Sequence, residues 1–466
     1  MPSRQDQLHS YQYSVQRVVA ALVTHNPDPH RSPLRRAGMT ALVGLVIAAV
    51  AVGAVAIFGL LTGSSSTDVK DEAAVFLEKG SGARYVYLKS DDRLHPVLNL
   101  ASGLLIANGS EPKVVSATRK KLATVELGDP LGIPDAPDSL PGRGDLLTGA
   151  WAVCTATGSD AAADPRSTLL VGEAPTDGTI AGTGEALIVR DPSGQDFMVV
   201  GNRRFLIPND AFTKVLIAFR WGDRQAWPVA AAWINAIPTG PDVVPLNIPG
   251  FGGQSKLPQA PRIGQLITDG GNQWAVALSD GAALITEVQA LLLQTNPDSR
   301  TPVTVDVPTF TNLPPSRTHL SDSGNPNGLP SAVPALAATP QRACMTLPVG
   351  QNGAGVRLDP TVPAGTATSG SSTANGAIQA DFVHVPRGKG ALIVTAASPT
   401  APASAGTVSI VTDSGRRFPV STRDALPKLG FGGATPRQVP AQLITLLPQG
   451  PSLDPAKARQ EVPAGG

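Results

Sequence analysis

The chain has 466 residues, 16% of them charged and only 4% aromatic, with a formal net charge of +1. That balance excludes nucleic acid as a partner, because no basic stretch neutralises a run of phosphates. Forty-eight glycines and 44 prolines favour short strands and many turns over helical bundles, and the length predicts about three domain-sized units.

The first predicted element is an amphipathic helix over residues 4–25. Leu8, Tyr11, Val15, Val18 and Leu22 recur at spacings of three and four, while Arg4, Asp6, Gln12 and Gln16 take the other face. Asn26-Pro27-Asp28-Pro29 stops it, since two prolines deny further helix hydrogen bonds. An isolated helix of this length is marginal unless its apolar stripe is covered. Two covers stay open: a membrane surface, or a cytoplasmic protein partner docked on those five residues.

Met39 to Leu61 carries no charge and is long enough for a helix to cross the hydrocarbon core of a bilayer. Arg31, Arg35 and Arg36 precede it, and Gly63, Ser64, Ser65, Ser66 and Asp68 follow. This predicts a single-pass anchor in the plasma membrane, with a cytoplasmic N-terminus and everything after residue 61 outside. A cleaved signal peptide is the rival reading. Its apolar core starts nearer residue 1 and ends in a small-x-small site, which Phe58-Gly59-Leu60-Leu61 does not offer.

Beyond the anchor, four segments share the plan strand, tight turn, strand, short helix. Their turns are Ser90-Asp91-Asp92, Gly201-Asn202, Ser279-Asp280-Gly281 and Asp413-Ser414-Gly415, each between apolar stretches, which is a hairpin signal. The helices are predicted at Val97–Ile106, Asn209–Phe219, Thr286–Leu293 and Thr422–Leu429. The second and fourth segments also share an upstream strand, Ala186-Leu187-Ile188-Val189 and Ala391-Leu392-Ile393-Val394. Duplicated α+β modules fit this pattern better than a solenoid, because the turns are unevenly spaced. Chance likeness among ordinary hairpins is the alternative.

Cys154 and Cys344 are the two cysteines, both on the predicted outer side, where thiols tend to be oxidised. A bridge between them closes a loop of about 190 residues and stabilises by roughly 2–4 kcal/mol; two buried free thiols are the other possibility. The cysteines lie outside the four hairpin segments, so an elongated α+β region is expected, with repeats around a central β domain. The division reads as residues 1–38, cytoplasmic helix and linker; 39–61, anchor; 62–140, repeat 1; 141–180, central β domain, first part. It continues with 181–255, repeat 2; 256–330, repeat 3; 331–380, central domain, second part; 381–447, repeat 4; and 448–466, an extended tail.

Chemistry is harder to find. A P-loop needs a glycine six residues before its lysine and a Ser or Thr after it; Gly388-Lys389 has Val383 and Gly390 in those places. There is no G-x-S-x-G elbow and no H-E-x-x-H. His95, His319 and His384, the only histidines past the anchor, are scattered and supply no metal-ligand set. Ser110-x-x-Lys113 has the spacing of a penicillin-recognising nucleophile but contains Pro112 and lacks the partner motifs. Asp322-Ser323-Gly324-Asn325-Pro326-Asn327-Gly328 is polar like a calcium loop without the EF-hand pattern. Arg203-Arg204 and Arg416-Arg417 suit an anionic ligand, with plain surface charge as the default. No catalytic residue, metal or cofactor is read from these residues.

Several strings together resemble a known family. They are Arg4-Gln-Asp-Gln-Leu-His-Ser-Tyr11 with Ala21-Leu22-Val23, Asn26-Pro-Asp, and Ser32-Pro-Leu-Arg-Arg36 before the anchor. Asp92-Arg-Leu-His-Pro-Val-Leu-Asn-Leu-Ala-Ser102, the cysteine pair, and Leu447-Pro448 followed by Gly450-Pro-Ser-Leu-Asp-Pro455 complete them. Over nearly the full chain the sequence is similar to the EccB membrane component of actinobacterial type VII (ESX) secretion systems. That resemblance implies a structural subunit of a secretion channel, assembled with EccC, EccD and EccE. It implies four repeats around a central β domain, a Cys154–Cys344 disulfide, and repeats like a wall-binding module of phage lysins, hence contact with peptidoglycan. A membrane-tethered peptidoglycan binder acting alone is an alternative function. The family is also labelled as ATPases, which makes an ATP-hydrolysing subunit a further alternative, although this chain lacks the Walker motif that label needs.

Overall fold

The computed structural model describes residues 3–25, 33–62, 68–158, 163–321, 323–325, 327–347, 355–368, 378–396 and 406–462. Asn26–Ser32, Gly63–Ser66, Asp322 and Pro326, all used in the sequence reading, lie outside the described residues. The chain forms two compact units, Met1–Val69 and Lys70–Gly466.

The first unit is helical. α1 (Arg4–Thr24) starts at Ser3, whose hydroxyl accepts from the Asp6 N–H while the Asp6 carboxylate accepts from the Ser3 N–H, a reciprocal cap. It ends at His25 in the left-handed conformation, φ 55°. α2 (Pro33–Thr62) begins ahead of the expected Met39, because proline's fixed φ suits a first helical turn. Gly38–Val55 has a mean hydropathy of 2.3 and is unburied, so α2 is long and apolar enough to cross a membrane.

The second unit is mixed α+β. Four of its sheets repeat one strand order, third–second–first–fourth, with the first three strands antiparallel and the fourth parallel to the first. Sheet I is Ala74–Glu78, Arg84–Leu88, Arg93–Val97 and Lys113–Ala117. Sheet II is Glu185–Arg190, Asp196–Val200, Arg203–Ile207 and Trp227–Pro228, with Ala335–Leu336 also pairing its first strand. Sheet III is Leu266–Thr268, Trp274–Ala277, Ala282–Ile285 and Val303–Thr304, and sheet IV is Ala391–Ala396, Val408–Val411, Arg417–Pro419 and Arg437–Pro440.

Helices fill the crossovers, as parallel pairing requires. They are α3 (Leu100–Ile106) in I, α5 (Phe212–Ala218) in II and α7 (Glu287–Gln294) in III, while α4 (Arg119–Leu122), α6 (Ala231–Ala236) and α8 (Val307–Thr311) follow the fourth strands. α9 (Ala441–Thr445) follows the fourth strand of IV, and α10 (Pro455–Ala458) comes last. In all four sheets the chain then returns along the free edge of the third strand, through parallel bridges at Leu94–Leu127, Arg204–Thr239, Ala282–Pro315 and Arg417–Gln449.

A fifth arrangement, a seven-stranded central sheet, is assembled from Trp151–Ala156, Arg166–Leu170, Thr179–Ile180, Arg342–Leu347, Val356–Leu358, Thr366–Ala367 and Phe382–His384. Its two halves flank sheets II and III in sequence. One core joins the central sheet (Trp151, Val153, Met345), sheet II (Leu187, Val189, Trp233) and sheet IV (Ile393, Val439, Leu443). A second joins sheets I and IV through Val75, Val86, Leu105, Leu392, Ile410 and Phe418.

Three expectations needed adjustment. The helix at Thr422–Leu429 is only a 3-10 turn, Arg423–Ala425, since Pro427 and Gly430 interrupt it. The helix at Val97–Ile106 is split: Val97 ends a strand, and Asn99, whose side chain accepts from the Ser102 N–H, caps α3. The expected extended tail is folded onto the body: Leu453 and Ala458 are buried, and Leu131 bridges Glu461. There, Lys428 Nζ donates to the carbonyls of Leu105 (3.3 Å) and Ala107 (2.8 Å), and Arg459 Nη2 donates to Ile106 (3.1 Å). Two cations thus satisfy the C-terminal carbonyls of α3.

Candidate functional site

The five stripe residues of α1, Leu8, Tyr11, Val15, Val18 and Leu22, are all exposed, and Tyr13 on the opposite face is exposed too. The helix therefore presents an exposed apolar stripe along one face.

Cys154 and Cys344 stand directly opposite one another on adjacent antiparallel strands of the central sheet, Cα atoms 4.0 Å apart, and are disulfide-bonded. Flanking residues of both strands alternate between faces. Val153, Ala343 and Met345 enter the large shared core, while the cystine packs with Ala152 and Leu170 on the other side. A cavity of about 260 Å³ lined by Cys154, Thr155, Thr168, Arg342, Pro363 and Phe382 opens over it.

Arg203 and Arg204 lie on the third strand of sheet II, and Arg417 starts that of sheet IV with Arg416 just before it. Arg203 Nη1 donates to the Thr239 carbonyl at 3.1 Å and Nη2 to the Asn327 side chain. Arg204 Nη1 donates to Asn235 Oδ1 at 2.7 Å, and its guanidinium lies 5.3 Å from the Phe197 ring centre. Arg417 Nη2 donates to Gln449 Oε1, and Arg416 lies over Phe418. Burial pushes the pKa of both Arg204 and Arg417 below the usual arginine value.

Sequence reasoning missed Arg190, which grips Asp196 through Nε and Nη2 at 2.7 and 2.9 Å. The carboxylate is nearly fully buried, and its hydrogen bonds raise the Arg190 pKa. The signal was available: the two residues close a hairpin pair at Arg190–Asp196. Arg190 also lines a cavity of about 590 Å³ with Phe212, Leu216, Ile217 and Arg224.

The histidines stay apart. His95 is buried between Asp91 Oδ2 and the Asp129 carbonyl, both at 2.8 Å. His384 contacts the Ala364 carbonyl at 2.7 Å and Glu173 at 3.3 Å, and His319 is exposed. Among the described residues no group of three or more His, Cys, Asp or Glu side chains is placed to hold a metal. Gly388-Lys389 occupies a turn between two strands, where the Gly388 N–H donates to Asp413, rather than the strand-to-helix turn of a P-loop. Ser110 lies in a loop and Lys113 starts a strand, so their spacing is not helical.

A family profile described as type VII secretion system ESX-1, transport TM domain B, matches residues 1–464. The chain is 29% identical to a protein named ESX-5 secretion system ATPase EccB5 of Mycobacterium tuberculosis, across 98% of this chain and 93% of that one. It is 26% identical to one named ESX-3 secretion system ATPase EccB3 of Mycolicibacterium smegmatis, across 96% and 88%. Among solved structures it is similar to a chain of an intact ESX-5 inner membrane complex, with a TM-score of 0.68 and 25% identity over 100% of this chain and 96% of that one. An EccB3 dimer from an ESX-3 core complex shares the fold, with a TM-score of 0.65 at 21% identity over 83% of this chain and 100% of that one.

Proposed function

We propose, from the premise that this chain belongs to the EccB family of type VII secretion transport components, that it is a structural subunit of an ESX inner membrane complex and supports protein export. The observation that carries this reading is the extent of the match: residues 1–464 span α1, α2, the four repeated sheets and the central sheet alike. The reading places α2 across the plasma membrane, the N-terminus in the cytoplasm and the second unit outside. α1 then docks on a cytoplasmic partner through Leu8, Tyr11, Val15, Val18 and Leu22, whose exposure leaves them free to be covered. EccC-, EccD- and EccE-like subunits are the assembly partners in this reading. Sheets I–IV with their helices are its four repeat domains around the central sheet, and peptidoglycan is a secondary contact of those repeats.

We assign no ATP-dependent step to this chain. The relatives are named as ATPases, but the Gly-Lys pair here sits on a strand-to-strand turn. Affinity capture of the tagged full chain from native membranes in mild detergent, with mass spectrometry, tests the proposal. Co-elution of a P-loop ATPase and multispanning subunits is expected, and deleting residues 1–25 abolishes it while the second unit stays folded. Capture of the intact chain alone defeats the assembly role and favours a wall-binding module, checked by sedimentation with isolated cell wall. ATP turnover that follows the chain through purification and vanishes with a point substitution makes it a hydrolase instead.

A further inference from the structure

Arg204 in sheet II and Arg417 in sheet IV occupy one register position. Each is the third-strand residue bridging the returning segment, at Thr239 and Gln449; sheets I and III have Leu94 and Ala282 there. Both arginines are half-buried. Guanidinium stays charged at any physiological pH, so its withdrawal from water is costly unless an anion compensates. For Arg190 that anion is Asp196. Among the described residues neither Arg204 nor Arg417 has a carboxylate within ion-pair reach. The field of Asp191 extends to Arg204, but its carboxylate is committed to the N–H groups of Ser193 and Gln195.

What each guanidinium does meet is a side-chain amide, Asn235 for Arg204 and Gln449 for Arg417, and Arg204 Nε also donates to Thr239 Oγ1 at 3.4 Å. The amide oxygen is used on the arginine, which leaves its NH2 group as a second donor beside the fork. The buried Arg417 Nε has no acceptor among the described residues, so that guanidinium is not fully satisfied within the fold. A second cation, Arg203 or Arg416, adjoins each position in sequence. Both sites have firm support, because α6, which carries Asn235, and α9, just before Gln449, contribute to the same core through Trp233, Leu443 and Ile444.

We propose that Arg204 with Asn235, and Arg417 with Gln449, are two oxyanion-binding sites, each taking one phosphate or carboxylate group through the guanidinium fork and the amide NH2. The duplication favours a ligand whose negative charges repeat. A purely structural clamp on the returning segment accounts for the hydrogen bonds, but it does not call for a charged group left without a counter-ion at both positions.

Isothermal titration of the detergent-solubilised full chain tests this, with inorganic phosphate as probe and chloride at matched ionic strength as control. Two phosphates per chain are expected. Arg204→Gln and Arg417→Gln should each reduce this to one, and the double variant should lose saturable binding. A polyphosphate chain as second probe separates the sources: binding at least tenfold tighter than phosphate identifies a repeating polymer, and equal affinity per phosphate a small free anion. No saturable binding of either probe, or unchanged stoichiometry in a folded double variant, overturns the proposal. If the Gln variants do not fold, Arg204→Lys and Arg417→Lys keep the charge without the fork; an unchanged Kd in both also overturns it.

Discussion

Sheets III and IV solve the same packing problem with different residues. In sheet IV the Phe418 ring lies against Gly450 of the returning segment, and a Cβ at 450 would overlap the ring. Sheets I and II do likewise, with His95 on Gly128 and Phe205 on Gly240. In sheet III the register-equivalent residues are Ala283 and Ser316, and the Ser316 N–H donates to the Ala282 carbonyl at 2.8 Å as the Gly450 N–H does to Arg417. Volume taken on the strand is given up on the segment, so the seam is conserved as a pair rather than as residues. The room left in sheet III carries a polar tie instead: Ser316 Oγ donates to Asp280 Oδ1 at 2.7 Å, joining the hairpin turn to the returning segment. Sheet I makes the same join through His95, between Asp91 and Asp129.

The contrast breaks most severely at the ring. Phe418→Ala should cost about 3–5 kcal/mol in denaturant unfolding, since a fully packed aromatic leaves a cavity; a loss below ~1 kcal/mol means the ring is not the seam's filler. Next comes the bridge. Replacing Cys154 and Cys344 by Ser should cost roughly 2–4 kcal/mol. Hydrogen exchange should speed up in sheets II and III, which lie within the cross-linked loop, and change little in the core that sheets I and IV share; uniform acceleration contradicts that division. Gly450→Ala should cost about 1–3 kcal/mol by overpacking, whereas Ser316→Ala adds no volume and should cost only about 1 kcal/mol for the hydroxyl's hydrogen bonds with Asp280 and the Thr318 N–H. Equal losses at the two positions discard the paired-volume account.

The smallest effect is on acid sensitivity. The Ser316 hydroxyl, then the Arg317 N–H, hold the Asp280 carboxyl below the usual carboxylate range. The stability it lends is therefore present above the unfolded-state value of about 4 and is lost as pH falls through the lower folded value. Ser316→Ala should flatten that acid-side dependence, and an acid-unfolding curve unaltered by the substitution rules the tie out.

The sequence made parts of this legible for physical reasons. The upstream strands of sheets II and IV stood out because they are buried on both faces. Ala186 and Ile188 enter one core while Leu187 and Val189 enter another, and Leu392 and Val394 alternate with Ala391 and Ile393 in the same way. The hairpin turns were readable because Asp92, Gly201 and Gly415 have φ of 56°, 58° and 76°. The fourth strands of sheets II and III were not, because Trp227–Pro228 and Val303–Thr304 are two residues long and carry no periodicity. Of the candidate site, the α1 stripe was visible in its spacing. The amides beside Arg204 and Arg417 were not, since 31 and 32 residues separate each pair and only α6 and the segment returning at Gln449 bring them together.

The cations on the end of α3 also set an order of events during synthesis. Leu105 and Ile106 are made long before their partners, which follow 323 and 353 residues later. At a ribosomal pace of about 5–20 residues per second, the gap is on the order of tens of seconds. Sheet I emerges first and is completed last, so it is the part of the molecule that a chaperone or a protease meets half-made.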